Sequence, residues 1–383
     1  MWLAWVISCL LGSGNLDLAG NVTGTDYLQF YAAGTTLRLG ESQRLYDFGY
    51  QKTLQAEIAG PPFDGFHAFI TPPFLAFLYL PFSFLPYVLS FIAWSLLGFF
   101  FLWASLKILS QNLHPKTVLY TLTWFPIFAS ISFGQNSLLS LFIFSLVYLS
   151  LRKERYFSAG LASSFLLYKP QLLIGLGLLW LVRYKTDRRA LLGLLTGGIL
   201  LAGASLLFLP EASRDYLVVL REVVPSIDTW EGFPHWHSYT LRTFWLLITP
   251  NQPVISTTLT LLVSILLVIG FLRFCKAQAG RIELLFAGAV CLTALVAPHN
   301  MVYDWTILLV PAVLAWRYWE AKRDLLRGVY ISIWIASLIS GVLVKAQLAV
   351  LPVAVQVAVP VLVAGLYVLG GRLQGEGGEG EGG

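Results

Sequence analysis

The chain has 383 residues, 57% of them hydrophobic and 12% charged, with a mean hydropathy of +0.72. Soluble domains carry about a quarter charged residues; here apolar runs of roughly 18 residues or more recur along the length, which excludes a soluble globular protein and implies a polytopic helical membrane protein. The net charge of +5 is scattered at the ends of apolar runs, which excludes a nucleic-acid partner, and the three cysteines (Cys9, Cys275, Cys291) are too few and too far apart for a disulfide framework or a zinc site.

In chain order, all-α spanning helices are expected near 1–12, 88–107, 116–132, 136–151, 189–209, 253–273, 282–298, 301–317, 328–344 and 348–370. The alternating segments of about ten residues that a barrel needs are absent. These helices make one transmembrane domain over 1–372, with long loops at 13–87 and 210–252. The first run, Met1–Leu11, has neither a basic n-region nor a small-residue cleavage site, so it does not read as a signal peptide. At about 1.5 Å per residue it is also too short to cross a bilayer, pointing either to sequence upstream or to a helix only partly embedded. The tail "GEGGEGEGG" is of low complexity, and residues 373–383 are expected to be disordered.

Lys and Arg concentrate in the loops on one side of this arrangement, among them Lys107, Arg152, Lys153, Arg183, Arg273 and Arg317. That bias assigns this side, and both termini, to the cytoplasm. The segment Arg152–Lys185 is basic at both ends. It keeps both ends inside only as a re-entrant hairpin, with Lys169–Pro170 at the tip, which is tolerated where broken backbone is buried in protein or lines a cavity. A single long helix kinked at Pro170 is the alternative. With the hairpin, the polar motifs gather on the outer face.

Each motif has two readings. In "GTDYLQFYAAG" Asp26 can cap a helix with Gln29 three residues on, while Tyr27 and Tyr31 share one face as an aromatic belt. Equally, Asp26 is a carboxylate at an aqueous mouth, able to take a proton from a hydroxyl. "FITPPFLAFLYLPFSFLP" reads as a short proline-capped helix dipping into the outer leaflet. In "SISFGQNSLLSL", Asn136 or Ser137 caps a helix, and the Gln135 amide is spare for a sugar or phosphate. Lys169 beside hydrocarbon either snorkels or supplies a point charge for a phosphate. In "DTWEGFPHWHSYTLRTFW", His235 and His237 lack a zinc spacing, the tryptophans suit an interface or a sugar floor, and Arg242 can pair with phosphate. In "PHNMVYDW", His299 and Tyr303 share a helix face, and Asp304 either joins a buried network with them or sits in a solvated turn.

Taken together, "GTDYLQFYAAG", "TPPFLAFLYLPFSFLP", "FGQNSLLSL", "LYKPQLL" and "APHNMVYDW" occur in an order and spacing that resembles glycosyltransferase family 87, from about residue 22 to about 315. That resemblance implies a GT-C fold and an inverting transfer of mannose from polyprenyl-phosphate-mannose at the outer face of a bacterial plasma (inner) membrane. It implies Asp26 as the catalytic base and Lys169 at the donor phosphate, and it matches Pro298, His299, Tyr303 and Asp304 to a P-H-x-x-x-Y-D pattern. Where family members often carry Asn-x-Ser, this chain reads "HWHSYTLRTF", with His237 as the counterpart.

The expected partners are a polyprenyl-phosphate sugar donor, a glycolipid, glycan or other hydroxyl acceptor, and membrane lipids. Lys169, Arg242 and His299 are assigned to the donor phosphate. Tyr27, Tyr31, Gln135, Asn136, His235, His237, Tyr303 and Asp304 are assigned to the sugar or acceptor. No metal or other cofactor is called for. A transporter or flippase of lipid-linked substrates would also place Lys, Asp and His in a membrane, but would show paired broken helices in its two halves. A lipid-linked glycan ligase or polymerase differs in taking a longer glycan on a diphosphate.

Overall fold

In the computed structural model, which describes residues 1–110, 113–230, 232–319 and 322–375, the chain is all-α. The amino-terminal part forms α1 (Trp2–Leu11), α2 (Tyr27–Arg38), α3 (Phe48–Ala59) and α4 (Pro73–Tyr79). Then come α5 (Tyr87–Ser110), α6 (Pro115–Thr123), α7 (Phe125–Ser132), α8 (Ser137–Arg152), α9 (Tyr156–Ser164), α10 (Ile174–Val182) and α11 (Tyr184–Phe208). After α12 (Pro210–Val218) and a loop follow α13 (Leu241–Ile248), α14 (Pro253–Ala277), α15 (Ile282–Val296), α16 (Leu309–Tyr318), α17 (Arg323–Leu348) and α18 (Ala358–Gly375). The helix α18 continues past residue 373, and residues 376–383 of the glycine-rich tail lie outside the described residues.

Helices α5, α11, α14 and α17 have 24, 25, 25 and 26 residues and are each long and apolar enough to cross a membrane. At 1.5 Å per residue they span about 36 Å or more, beyond the roughly 30 Å of hydrocarbon. Along α14, Leu261, Leu262, Ile265 and Leu266 are all exposed, as suits a helix facing lipid. The protein is an integral membrane protein.

Three of the expected spans are interrupted, each for a local reason. The run 116–132 breaks at Trp124, because Pro126 has no N–H to continue the ladder. The carbonyls left over are taken by indoles: Trp2 Nε1 donates to Leu122 O (2.7 Å) and Trp334 Nε1 to Thr123 O (3.2 Å). Broken backbone in a membrane survives on such substitutes. The run 301–317 opens as a 3-10 turn over Val302–Leu308 before α16. The last span starts at Ala358 instead of 348, since Pro352 interrupts the chain. There the Gln347 side chain holds Val355 through both its backbone N–H (3.0 Å) and its carbonyl (3.3 Å).

The Arg152–Lys185 segment turns back on itself. Tyr156, at the start of α9, lies within electrostatic reach of Arg183 and Asp187, at the start of α11. Helix α11 runs beside α9 through small residues: a Cβ on Gly160 would strike Ala190 O at 1.8 Å, and one on Gly193 would strike Phe157 O at 2.1 Å. Close packing through small residues is the usual device between membrane helices.

Helix α5 sets the depth of the molecule. At one end Tyr87 donates to Thr23 O (2.8 Å), just before Asp26; at the other Arg317 Nη1 donates to Leu109 O (3.2 Å). The 22-residue separation is about 33 Å, so Asp26 and Arg317 lie at opposite ends of the bundle.

Candidate active site

The site is assembled at the Asp26 end. Helix α7 closes on Gly134, whose φ of +70° suits a residue without a side chain. Gly134 N–H bonds to Ile131 O and Gln135 N–H to Ser130 O, a Schellman ending. A Cβ on Gly134 would lie 2.5 Å from Tyr27 Cβ, so glycine also lets α2 approach. Phe133 O accepts from Tyr27 N–H (2.9 Å), tying this turn to the start of α2. The turn delivers the Gln135 side chain to Asp26.

Asp26 sits at the N-cap position of α2 but does not cap it with its side chain. Its backbone is helical (φ −80°, ψ −17°) rather than extended as N-caps usually are, and the carboxylate points elsewhere. Oδ2 accepts from Gln135 Nε2 at 2.7 Å, and Oδ1 lies 3.6 Å from His67 Nδ1. The Asp26 side chain keeps 20% of its surface exposed. The capping box with Gln29 is therefore not formed, and the positive end of the helix still favours the anion.

His67 is the residue the sequence reading missed. Two buried glutamines of α3 hold its strand-like segment as a neighbouring strand would. Gln55 bonds both the N–H (2.9 Å) and the carbonyl (2.7 Å) of His67, and Gln51 accepts from Phe69 N–H (2.9 Å). The sole cue in the sequence was that His67 shares the first loop with Asp26.

Gln135 Nε2 also donates to Tyr303 Oη (3.1 Å). The face of Tyr303 carries Lys169 Nζ, 5.1 Å from the ring centre. Lys169 Nζ in turn bonds Asp304 Oδ1 at 2.7 Å. Asp304 is 2% exposed and also accepts from Ser137 Oγ (2.9 Å) and from Met301 N–H (3.1 Å), which caps the 3-10 turn. One continuous chain of contacts thus runs Asp26–Gln135–Tyr303–Lys169–Asp304, from residues up to 278 positions apart in sequence.

The loop before α13 closes over the same region. Tyr239 N–H bonds Asn300 O (2.9 Å), bringing "HWHSY" alongside "PHNM", and Gln171, just past Lys169–Pro170, donates to His299 O (3.1 Å). His237 packs against Phe133, with ring centres 5.8 Å apart. His235 and His299 both pack on Phe233. Burial pushes all three histidines below their ordinary pKa. For His299 the nearby Asp304 pulls the other way, and Lys169 reinforces the fall. At neutral pH each is a neutral imidazole, so His299 offers a hydrogen bond rather than a charge.

Other expected site residues already have partners within the protein. Arg242 is ion-paired with the buried Asp228. Tyr27 is fully buried, its hydroxyl 2.6 Å from Ser90 Oγ, and Tyr31 donates to Leu85 O (2.8 Å), so both anchor α2. Asn136 is fully buried and accepts from Tyr79 Oη. Asn300, by contrast, is buried with neither side-chain amide atom hydrogen-bonded among the described residues. Among the described residues, no three His, Cys, Asp or Glu side chains gather as a metal site would require.

A helical bundle with a partly exposed carboxylate and a partly buried lysine at one end defines a polytopic membrane protein with a polar site at that end. The model of glycosyltransferase family 87 matches residues 69–298, more than half of the chain; the chain belongs to that family and is a glycosyltransferase. No curated protein and no solved structure matches it. The matched span contains Gln135, Lys169 and the "HWHSY" loop, while Asp26, His67, Tyr303 and Asp304 join the site through geometry alone.

Proposed function

We propose that this protein is an inverting, GT-C-type glycosyltransferase that moves a sugar, mannose in our reading, from a polyprenyl-phosphate donor to an acceptor hydroxyl. The reaction takes place at the outer face of a bacterial plasma membrane, with both chain termini in the cytoplasm. The continuous contact chain from Asp26 to Lys169 carries this reading: it joins a proton acceptor to a cation within one site. Asp26 takes the acceptor's proton as the acceptor oxygen bonds to the anomeric carbon. The bond from that carbon to the phosphate oxygen breaks with its electron pair, and polyprenyl phosphate leaves. Attack opposite the leaving group inverts the anomeric centre.

Lys169 gives one of its three N–H groups to Asp304, leaving two for the phosphate. Neutral His299 adds a hydrogen bond, and the aromatic and amide groups around it suit a sugar. The leaving group departs as an anion, and a fixed cation stabilises it more as charge develops.

The test is purified protein in detergent with a panel of polyprenyl-phosphate sugars, a diphosphate-linked glycan and a glycolipid acceptor, read by mass spectrometry. Transfer of one sugar from the monophosphate donor is expected, and is expected to vanish in Asp26→Asn. Transfer from the diphosphate glycan alone, or undiminished transfer in Asp26→Asn, would overturn the proposal.

A further inference from the structure

Helices α6 and α14–α18 surround a cavity of about 1640 Å³ whose charged rim lies at the end of the bundle opposite Asp26. Its depth is apolar, lined by residues such as Leu292, Leu295, Ile333 and Leu362. Its rim carries Lys116, Arg317, Arg323 and Arg327, and no Asp or Glu is among the described lining residues. Three of these cations have contacts that position them. Arg317 is held by Leu109 O (3.2 Å), and the Arg323 and Arg327 guanidiniums lie 5.5 and 5.7 Å from the ring centre of Trp316. Arg327 pairs with Asp324, but that carboxylate is 94% exposed and neutralises it weakly. Lys116 and Arg317 make no ion pair among the described residues.

An apolar cavity does not hold water, so hydrocarbon is its natural filling. Lys116 and Arg317 at its mouth call for an anion at the level of the lipid headgroups, and basic pockets between helices on the cytoplasmic side bind anionic headgroups in this way. We propose that this cavity binds an anionic phospholipid of that leaflet, with its acyl chains among α14–α18 and its phosphate on Lys116 and Arg317. The mouth lies about 33 Å from the Asp26 end, measured along α5, so a phosphate held there cannot be the one presented to Lys169. The proposal therefore does not depend on the assignment of the reaction.

The test uses the full chain, purified in detergent and stripped of lipid. Binding of phosphatidylglycerol, phosphatidylcholine and undecaprenyl phosphate is compared by native mass spectrometry, with thermal stability measured in parallel. Phosphatidylglycerol is expected to bind at least tenfold more tightly than phosphatidylcholine and to raise the melting temperature. Lys116→Gln combined with Arg317→Gln should remove that preference. Gly270→Phe should weaken binding of every lipid with the rim intact, since a Cβ there meets no heavy atom within 4 Å and the ring would fill the cavity. If Arg317→Gln prevents folding, the exposed Lys116→Gln and Gly270→Phe decide. Equal binding of the two phospholipids, unchanged binding in the variants, or a preference for undecaprenyl phosphate over phosphatidylglycerol would overturn the proposal.

Discussion

Asp26 and Asp304 belong to one contact chain, yet they are built for different work. Asp304 is 2% exposed, and its two oxygens are taken by Lys169, Ser137 and the Met301 N–H. Asp26 is 20% exposed, has one hydrogen bond at 2.7 Å to a neutral amide, and faces a histidine at 3.6 Å. A carboxylate saturated by a cation and two further donors is committed to holding that cation in place. One held by a single amide is positioned and still able to accept a proton. That difference in partners is what our proposal rests on when it makes Asp26 the base and Asp304 the residue that positions Lys169.

The largest test of that division is Asp26→Asn. It keeps the size and a Gln135 contact, and should lower transfer by about 10²–10⁴-fold, the usual worth of a general base, with little change in melting temperature. The mirror experiment is Lys169→Met, which strands the buried Asp304 charge; breaking such a pair costs on the order of 3–5 kcal/mol. It should lower thermal stability as well as activity. Adding Asp304→Asn should recover stability without recovering transfer; recovery of both would mean that the pair is structural alone.

Gln135→Ala removes the hydrogen bond to Asp26 and should reduce turnover by about 10–100-fold, matching about 1.5–3 kcal/mol for a bond to a charged group. Steady-state kinetics should show the loss mainly in kcat. The smallest catalytic effect is expected from His67→Ala, because 3.6 Å is beyond a hydrogen bond in the resting site. A few-fold loss with an altered pH–rate profile would make His67 part of the base; an unchanged profile would leave it in the wall.

Acid should weaken the fold through the buried histidines. Their folded pKa values lie below the unfolded value of about 6.5, so the unfolded chain binds protons first. Stability is then greatest above that value and falls as pH drops from it through the folded pKa values. Melting temperature measured at pH 7.5 and 5.5 should show the fall, and His299→Asn should reduce it.

The sequence carried the parts that rest on local chemistry. Apolar run length indicated an all-α membrane protein, and the basic ends of Arg152–Lys185 indicated the hairpin, because hydrocarbon depth and charge act on each segment separately. Proline marked where helices begin and end, although the helix break at Trp124 and the late start of α18 depended on which indoles and amides could replace lost backbone bonds. Motif order pointed to the family, and Asp26 and Lys169 stood out as charges beside hydrocarbon.

Pairing was decided by tertiary structure alone. Lys169 meets Asp304 across 135 positions, Gln135 meets Asp26 across 109, and His67 reaches Asp26 because two glutamines of α3 hold its backbone. Tyr27, Tyr31 and Asn136 look as available as Gln135 in the sequence, and packing turns them inward. Sequence fixes which groups can accept a proton or carry a charge; hydrogen bonds act over about 3 Å, and only the folded chain determines which groups come that close.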